Sequence, residues 1–243
     1  MSRGVLACEV LLVLAAVASV GRAQSCAFRG SCHFNRDIRK SVPCAVDEAP
    51  SETLSDSLWK EFTDFCEDLA ASLQDRRLCC EASQFETLKK EMKAAEAIGM
   101  KRCPGCYRAF KNLMCQMTCS PTQGQFIVVN ATTDKPGSPG PIVQEIVYGL
   151  DKNFANTLYS TCNSARSNVV VKLTTLMCGA YGNRCNTLRF LNFLGAPDEE
   201  GGYSPFKIRH ILHDEDIQVT DYRGKPRVIR KQAWLAADKC KIQ

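Results

Sequence analysis

The sequence predicts a helix-rich, disulfide-rich domain with one clear strand, folded as a single unit in the secretory route. Three observations point there. The chain opens with a removable apolar segment. Beyond that segment it carries fourteen of its 15 cysteines. Most of the remainder consists of stretches with apolar residues at helical spacing, joined by a run rich in β-branched residues.

The apolar segment, Val10 to Val20, follows Arg3 and precedes Gly21-Arg22-Ala23. Small residues at Gly21 and Ala23 suit a signal-peptidase site before Gln24. The run is too short to cross a bilayer, which takes about 20 apolar residues. Residues 1–23 are therefore predicted as a signal peptide and 24–243 as one domain, long enough to bury its own core. Cys8 leaves with the signal. The remaining even number could form seven disulfides, the default state in an oxidising compartment. The net charge of +5 is too small and too dispersed to suggest nucleic acid. No later stretch has the length and apolarity of a transmembrane helix, so the mature chain is expected in a lumen or outside the cell.

In chain order, residues 24–56 hold Cys26, Cys32 and Cys44 with Gly30, Pro43 and Pro50, which predicts crosslinked loop anchored by Phe28 and Phe34. Leu58, Phe62, Phe65, Cys66, Leu69 and Leu73 then predict an amphipathic helix. The adjacent pair Cys79-Cys80 cannot easily bond to itself and should tie two distant segments to one point. Ser83-Gln84-Phe85-Glu86 fits a capping box with Ser83 as N-cap, and Phe85, Leu88, Met92 and Ala95 continue that helix. In RCPGCYRAFKNLMCQMTCSP, Pro104 suits a first helical turn, and Cys115 and Cys119 share a face. Residues 125–132 read as a strand ending in the sequon Asn130-Ala131-Thr132, a surface glycosylation signal. Ile142, Ile146, Leu150, Phe154, Leu158 and Cys162 predict another amphipathic helix, and Val169 to Met177 a shorter one. Cys178 and Cys185 should close a small loop. Leu188 to Leu194 is apolar, and residues 205–212 read as extended. The tail from Arg223 to Lys241 is mildly basic, anchored by Cys240.

Little of this suggests reaction chemistry. Cys103-Pro-Gly-Cys106 has dithiol spacing, but an even cysteine count lets both join structural bonds. The same compartment argues against zinc at Cys103, Cys106, Cys115 and Cys119. His213 with Asp214, Glu215 and Asp216 reads as a solvated turn in the absence of a second ligand motif. No nucleophile elbow, HExxH, Walker or dinucleotide motif occurs, so neither enzyme, metal nor cofactor is expected. Met92, Met114, Met117 and Met177, with Phe85, Phe110 and Phe154, form apolar stripes that read first as core and second as the lining of a ligand pocket.

The central segment RCPGCYRAFKNLMCQMTCSP resembles the matching stretch of the lumenal N-terminal domain of the Niemann–Pick type C1 sterol transporters. So do QSCAFRGSC, LCCEASQFETLKKEM, PTQGQFIVVNAT, NFANTLYSTC, LMCGAYGNRCN and PFKI, spread in family order from Gln24 to about Leu212. The resemblance implies a mixed α+β, folate-receptor-like fold, with helices packed around a small sheet and one sterol in a buried pocket. It implies the disulfides Cys26–Cys79, Cys32–Cys44, Cys66–Cys115, Cys80–Cys119, Cys103–Cys240, Cys106–Cys162 and Cys178–Cys185. Two further bridges that some members carry near the C-terminus are missing.

In the family a glutamine and an asparagine hold the sterol hydroxyl. The glutamine matches Gln84. The asparagine position matches Pro43, a departure that removes one contact or leaves it to Ser41 or water. The lining that carries over is Phe28, Leu88, Asn112, Met114, Met117, Pro205, Phe206 and Ile208. Leu176 and Met177 stand at the mouth, where the family takes sterol from a soluble lumenal carrier, and Phe190 and Phe193 are assigned loosely beside them. The implied function is sterol binding for intracellular sterol transport, in the lysosomal or late endosomal lumen or secreted. Membrane attachment would come only through a further C-terminal portion, as in the full transporters. The alternatives are a folate- or riboflavin-type carrier, for which only Trp59 and Trp234 could stack a flat ring, and a ligand-free interaction domain.

Overall fold

The structure, a computed structural model, describes residues 24–167 and 171–232 together with residues 234, 238 and 240. The signal-peptide expectation for residues 1–23 falls outside these. The elements run β1 (Cys26–Asn35), β2 (Lys40–Glu48), β3 (Ser51–Glu52), α1 (Asp56–Phe65), α2 (Glu67–Ala70), β4 (Arg77–Leu78), α3 (Ala82–Ala97), α4 (Pro104–Cys119) and β5 (Ile127–Thr133). They continue with β6 (Ile142–Asp151), α5 (Lys152–Ser164), α6 (Leu173–Leu176), α7 (Thr187–Leu194), β7 (Lys207–His213), β8 (Ile217–Thr220) and β9 (Pro226–Ile229). The α+β class stands, with a small mixed sheet among helices.

β6 is the spine of that sheet. Antiparallel β5 pairs along one edge. The other edge is shared by β2, which meets β6 at Cys44 opposite Ile142, and by β7, parallel from Glu145 opposite Lys207 to Asp151 opposite His213. β1 closes the sheet as a hairpin with β2. Both faces of β6 are covered. Ile146, Tyr148 and Leu150 enter the main core under the helices, while Val147 packs with Val128 and Ile229 beneath the β8–β9 hairpin. Gly149 lets that hairpin close in, because a Cβ there would lie 2.2 Å from Ile229.

Three sequence expectations are corrected here. The loop expected over 24–56 is largely the β1–β2 hairpin; the three cysteines, Gly30 and Pro43 sit in strands, Gly30 with φ +66° at a bulge, and Pro50 lies between β2 and β3. Phe28 is buried, but Phe34 is 52% exposed and anchors nothing. The single helix expected over 142–162 is a strand followed by a helix. Apolar residues every fourth position satisfy one face of a helix and also one face of a strand, where side chains repeat every two. Asp151 divides the two, accepting from the Phe154 N–H at 2.9 Å as N-cap of α5.

Other differences are local. The helix over 58–73 breaks at Cys66 into α1 and α2. The helix expected over 169–177 is described only as α6, residues 169 and 170 lying outside the described set. The N-cap of α3 is Glu81, not Ser83. The strand at 125–132 and the extended run at 205–212 are present as β5 and β7.

The seven disulfides are Cys26–Cys79, Cys32–Cys44, Cys66–Cys115, Cys80–Cys119, Cys103–Cys240, Cys106–Cys162 and Cys178–Cys185, the pairs that the resemblance implies. Cys79 ties β1 and Cys80 ties α4 to one point. α4 alone carries four bridged cysteines if its N-cap Cys103 is included. Closing loops of 39 to 137 residues, such bonds remove chain entropy from the unfolded state, roughly 3–5 kcal/mol each for loops this long.

Candidate functional site

The site is best followed from the N-terminus of α3. Gln84 occupies the third helical position, and its side chain reaches back to the Glu81 backbone N–H at 3.0 Å, while the Glu81 carboxylate accepts from the backbone there. This reciprocal cap satisfies donors that a helix start leaves free. Gln84 also accepts from the Gly30 N–H at 2.8 Å, which joins α3 to the β1 bulge. The positive φ of Gly30 aims that N–H, and a Cβ there would sit 3.0 Å from the Glu81 carboxylate. Pro43 lies on β2 across from the bulge, between Val42 opposite His33 and Cys44 opposite Arg29, and is buried. Ser41 is exposed opposite Phe34, which leaves it poorly placed to replace a buried polar contact.

Apolar side chains gather around this polar point. Phe28, on β1, has its ring 5.8 Å from that of Phe206, just ahead of β7. Leu88 lies one turn beyond Gln84 on the same face of α3. Phe28, Leu88, Met117, Met177, Phe206 and Ile208 all belong to one contiguous core, with Met114 partly buried against it. Pro205 is half-buried. Ile208 packs against Gly195, where a Cβ would come within 2.4 Å of it.

At the other end, α6 and the Cys178–Cys185 loop face α7. Phe193 lies over Gly179, whose missing side chain leaves room for the ring. Phe190 is fully buried beside Tyr159. Leu176, before the small loop, is 44% exposed, and Leu188, after it, is 42% exposed.

Asn112 does not join the other lining residues. Two positions from Met114, it faces about 200° away around α4. It accepts from Gln116 Nε2 at 3.3 Å, and both line a separate cavity of about 350 Å³ with Leu69, Ser120, Gln232 and Trp234. Sequence reasoning missed this cavity, because two of its walls come from the tail, where only Cys240 gave a signal.

The chemistry weighed earlier has its groups engaged elsewhere. Cys103 and Cys106 bond to Cys240 and Cys162, not to each other. His213 Nδ1 contacts the Glu215 carbonyl at 2.8 Å, Asp214 pairs with Lys152 and Asp216 caps the Lys231 N–H. Among the described residues no three His, Cys, Asp or Glu side chains cluster as metal ligands. His210 is buried, its ring beside Tyr148 and its Nδ1 without a hydrogen-bond partner. Burial lowers its imidazole to about 3. Asn130, on β5, is half-buried and donates to Glu145 at 3.0 Å. Among the described residues no helix is long and apolar enough to cross a membrane.

The pig "NPC intracellular cholesterol transporter 1" is 32% identical over 142 residues, 56% of this chain and 11% of that protein. The human "NPC1-like intracellular cholesterol transporter 1" is 30% identical over 196 residues, 77% of this chain and 14% of that protein. A Caenorhabditis elegans "NPC intracellular cholesterol transporter 1 homolog 1" is 27% identical over 202 residues, 78% of this chain and 14% of that protein. The chain thus spans a small fraction of the length of these relatives. Its residues 23–234 match the family described as Niemann-Pick C1 N terminus, and the chain belongs to that family.

Proposed function

We propose that this domain binds a sterol, with the ring system against Phe28, Leu88, Met117, Phe206 and Ile208 and the oxygen end at Gln84, and that it serves intracellular sterol transport as a binding module without catalysis. The observation that carries this is Gln84 itself. It is a polar side chain held by two backbone N–H groups, beside the Glu81 carboxylate, on a helix whose Leu88 joins the apolar core. A sterol presents the matching pattern of one hydroxyl on a large apolar body. Apolar burial at about 25 cal/mol per Å² then supplies most of the affinity, and the polar contact fixes orientation. The family's relatives, named as cholesterol transporters, support the same reading.

The exposed Leu176 and Leu188, on either side of the small loop in the chain, mark the proposed entrance, where a soluble lumenal carrier hands over its sterol. Entry requires α6 and the small loop to move from Phe193. The proposed compartment is the lysosomal or late endosomal lumen, reached by the secretory route. The flat-ring vitamin reading gains nothing, since Trp59 stacks on Phe62 and Trp234 meets Phe126 and Phe154, both committed to packing.

The test is equilibrium binding of labelled cholesterol to oxidised protein, competed by unlabelled sterols, folate and riboflavin. Saturable binding competed by sterols alone is expected. Competition by folate or riboflavin, or no saturable binding, contradicts the proposal.

A further inference from the structure

We infer that the cavity between α2, α4 and the tail is a binding site of its own, and that it takes a neutral polyhydroxylated ligand of monosaccharide size. The cavity measures about 350 Å³ and opens to solvent. Small-molecule sites usually fall between about 300 and 1,000 Å³. Its walls come from α2 and the turn after it, from α4 and the residues that follow, and from Gln232 and Trp234. Neither Gln84 nor Phe28, Leu88 or Phe206 lines it.

Three of the lining side chains are amides, and all are buried: Asn112 and Gln116 are each 6% exposed and Gln232 is 4%. Gln116 Nε2 donates to Asn112 Oδ1 at 3.3 Å, and Gln232 Nε2 donates to the Arg230 carbonyl at 3.0 Å. That leaves Asn112 Nδ2, Gln116 Oε1 and Gln232 Oε1 without a hydrogen-bond partner among the described residues, yet none of the three is sealed from solvent. Polar groups this deeply buried are ordinarily paired. Here the partner has to enter through the cavity.

The chemistry of the walls selects that partner. Turning over both amides of the Asn112–Gln116 pair would exchange their roles, but one donor and one acceptor would still stand a helical turn apart. Ser120 and Thr122 share one hydrogen bond at 3.1 Å, which leaves a hydroxyl proton to give. A hydroxyl both donates and accepts, so adjacent hydroxyls answer every one of these groups. A sterol, with one hydroxyl, would leave most of them unpaired. A charged ligand finds no counter-charge, because Asp68 is the one charged side chain among the described lining residues and Arg108 Nε donates to both its oxygens, at 3.2 and 3.1 Å. Leu69, Leu73 and Trp234 supply apolar surface for the carbon face of a sugar ring.

The experiment is titration calorimetry of oxidised, enzymatically deglycosylated protein with glucose, galactose, mannose and glucuronate. At least one neutral sugar should bind saturably, with a Kd of about 1 mM or tighter, and ahead of glucuronate. Gln116→Leu keeps the side-chain size and removes its hydrogen bonds, and it should weaken that sugar at least about tenfold. Gln232→Leu, on the tail, should do the same, and it decides the matter if Gln116→Leu melts well below the wild type. Saturable binding of no neutral sugar, a preference for glucuronate, or wild-type affinity in a variant that melts like the wild type would each overturn the inference. None of these results depends on whether the protein binds cholesterol.

Discussion

His210 is a buried base with its Nδ1 unpartnered, pressed against the Tyr148 ring. The folded protein keeps it neutral down to about pH 3, whereas the unfolded chain takes up a proton near 6.5. Between those values the unfolded state binds more protons, so stability falls as pH drops. His210 alone should remove about 2 kcal/mol between pH 7 and pH 5. Denaturant titrations at the two pH values should show that loss in the wild type and a smaller one in His210→Phe, and equal losses would refute the assignment. Asn130 gives a second prediction. Its amide has two hydrogens and spends one on Glu145, so a glycan can replace the other without breaking the contact. Protein from a secreting eukaryotic host should lose mass on endoglycosidase treatment, and Asn130→Gln should not. At this scale the sequence was informative where a residue's role is local. Pro104 does open α4, and Cys79 and Cys80 do reach different partners. It misled at Ser83, because Glu81 and Gln84 make a less familiar capping pair, and at Phe34, whose exposure depends on where a hairpin turns.

Elements depend on partners distant in the chain, and there the reading of the sequence was less complete. The β1–β2 hairpin carries punctuation that ordinarily marks loop, yet it is held by Cys32–Cys44, by the Gln84 link and by the docking of β2 on β6. The β8–β9 hairpin is short, exposed on one side and fixed by packing on Val128 and Val147. Neither shows a strong alternation. β6 was hidden because a four-residue apolar repeat is shared by helix and strand. The bulge at Gly30 is open to a direct test. Gly30→Ala forces a side chain into positive φ and toward the Glu81 carboxylate, which should cost about 1–2 kcal/mol and turn the N–H from Gln84. A melting temperature lowered by several degrees, with weakened sterol binding, is expected. An unchanged melting temperature would show that the bulge tolerates a Cβ.

Across the whole molecule, the disulfide framework was the most legible feature: the even cysteine count predicted that it exists, and the resemblance implied the seven pairs that form. The proposed sterol site was legible through resemblance and only partly through physics. Phe28, Gln84, Leu88 and Phe206 come from β1, α3 and the approach to β7, segments far apart in the chain. Asn112 fell on the far side of α4 because helical phase separates it from Met114. Two locations for a ligand therefore compete, the cluster at Gln84 and the cavity at Asn112, Gln116 and Trp234. Photoaffinity labelling with a diazirine cholesterol analogue, followed by mapping of the crosslinked peptides, tests the choice most directly. The account predicts saturable labels, displaced by cholesterol, on peptides holding Phe28, Leu88 and residues 205–208. Displaceable labels on peptides around Leu69, Asn112 or Trp234, or no displaceable label at all, would contradict it.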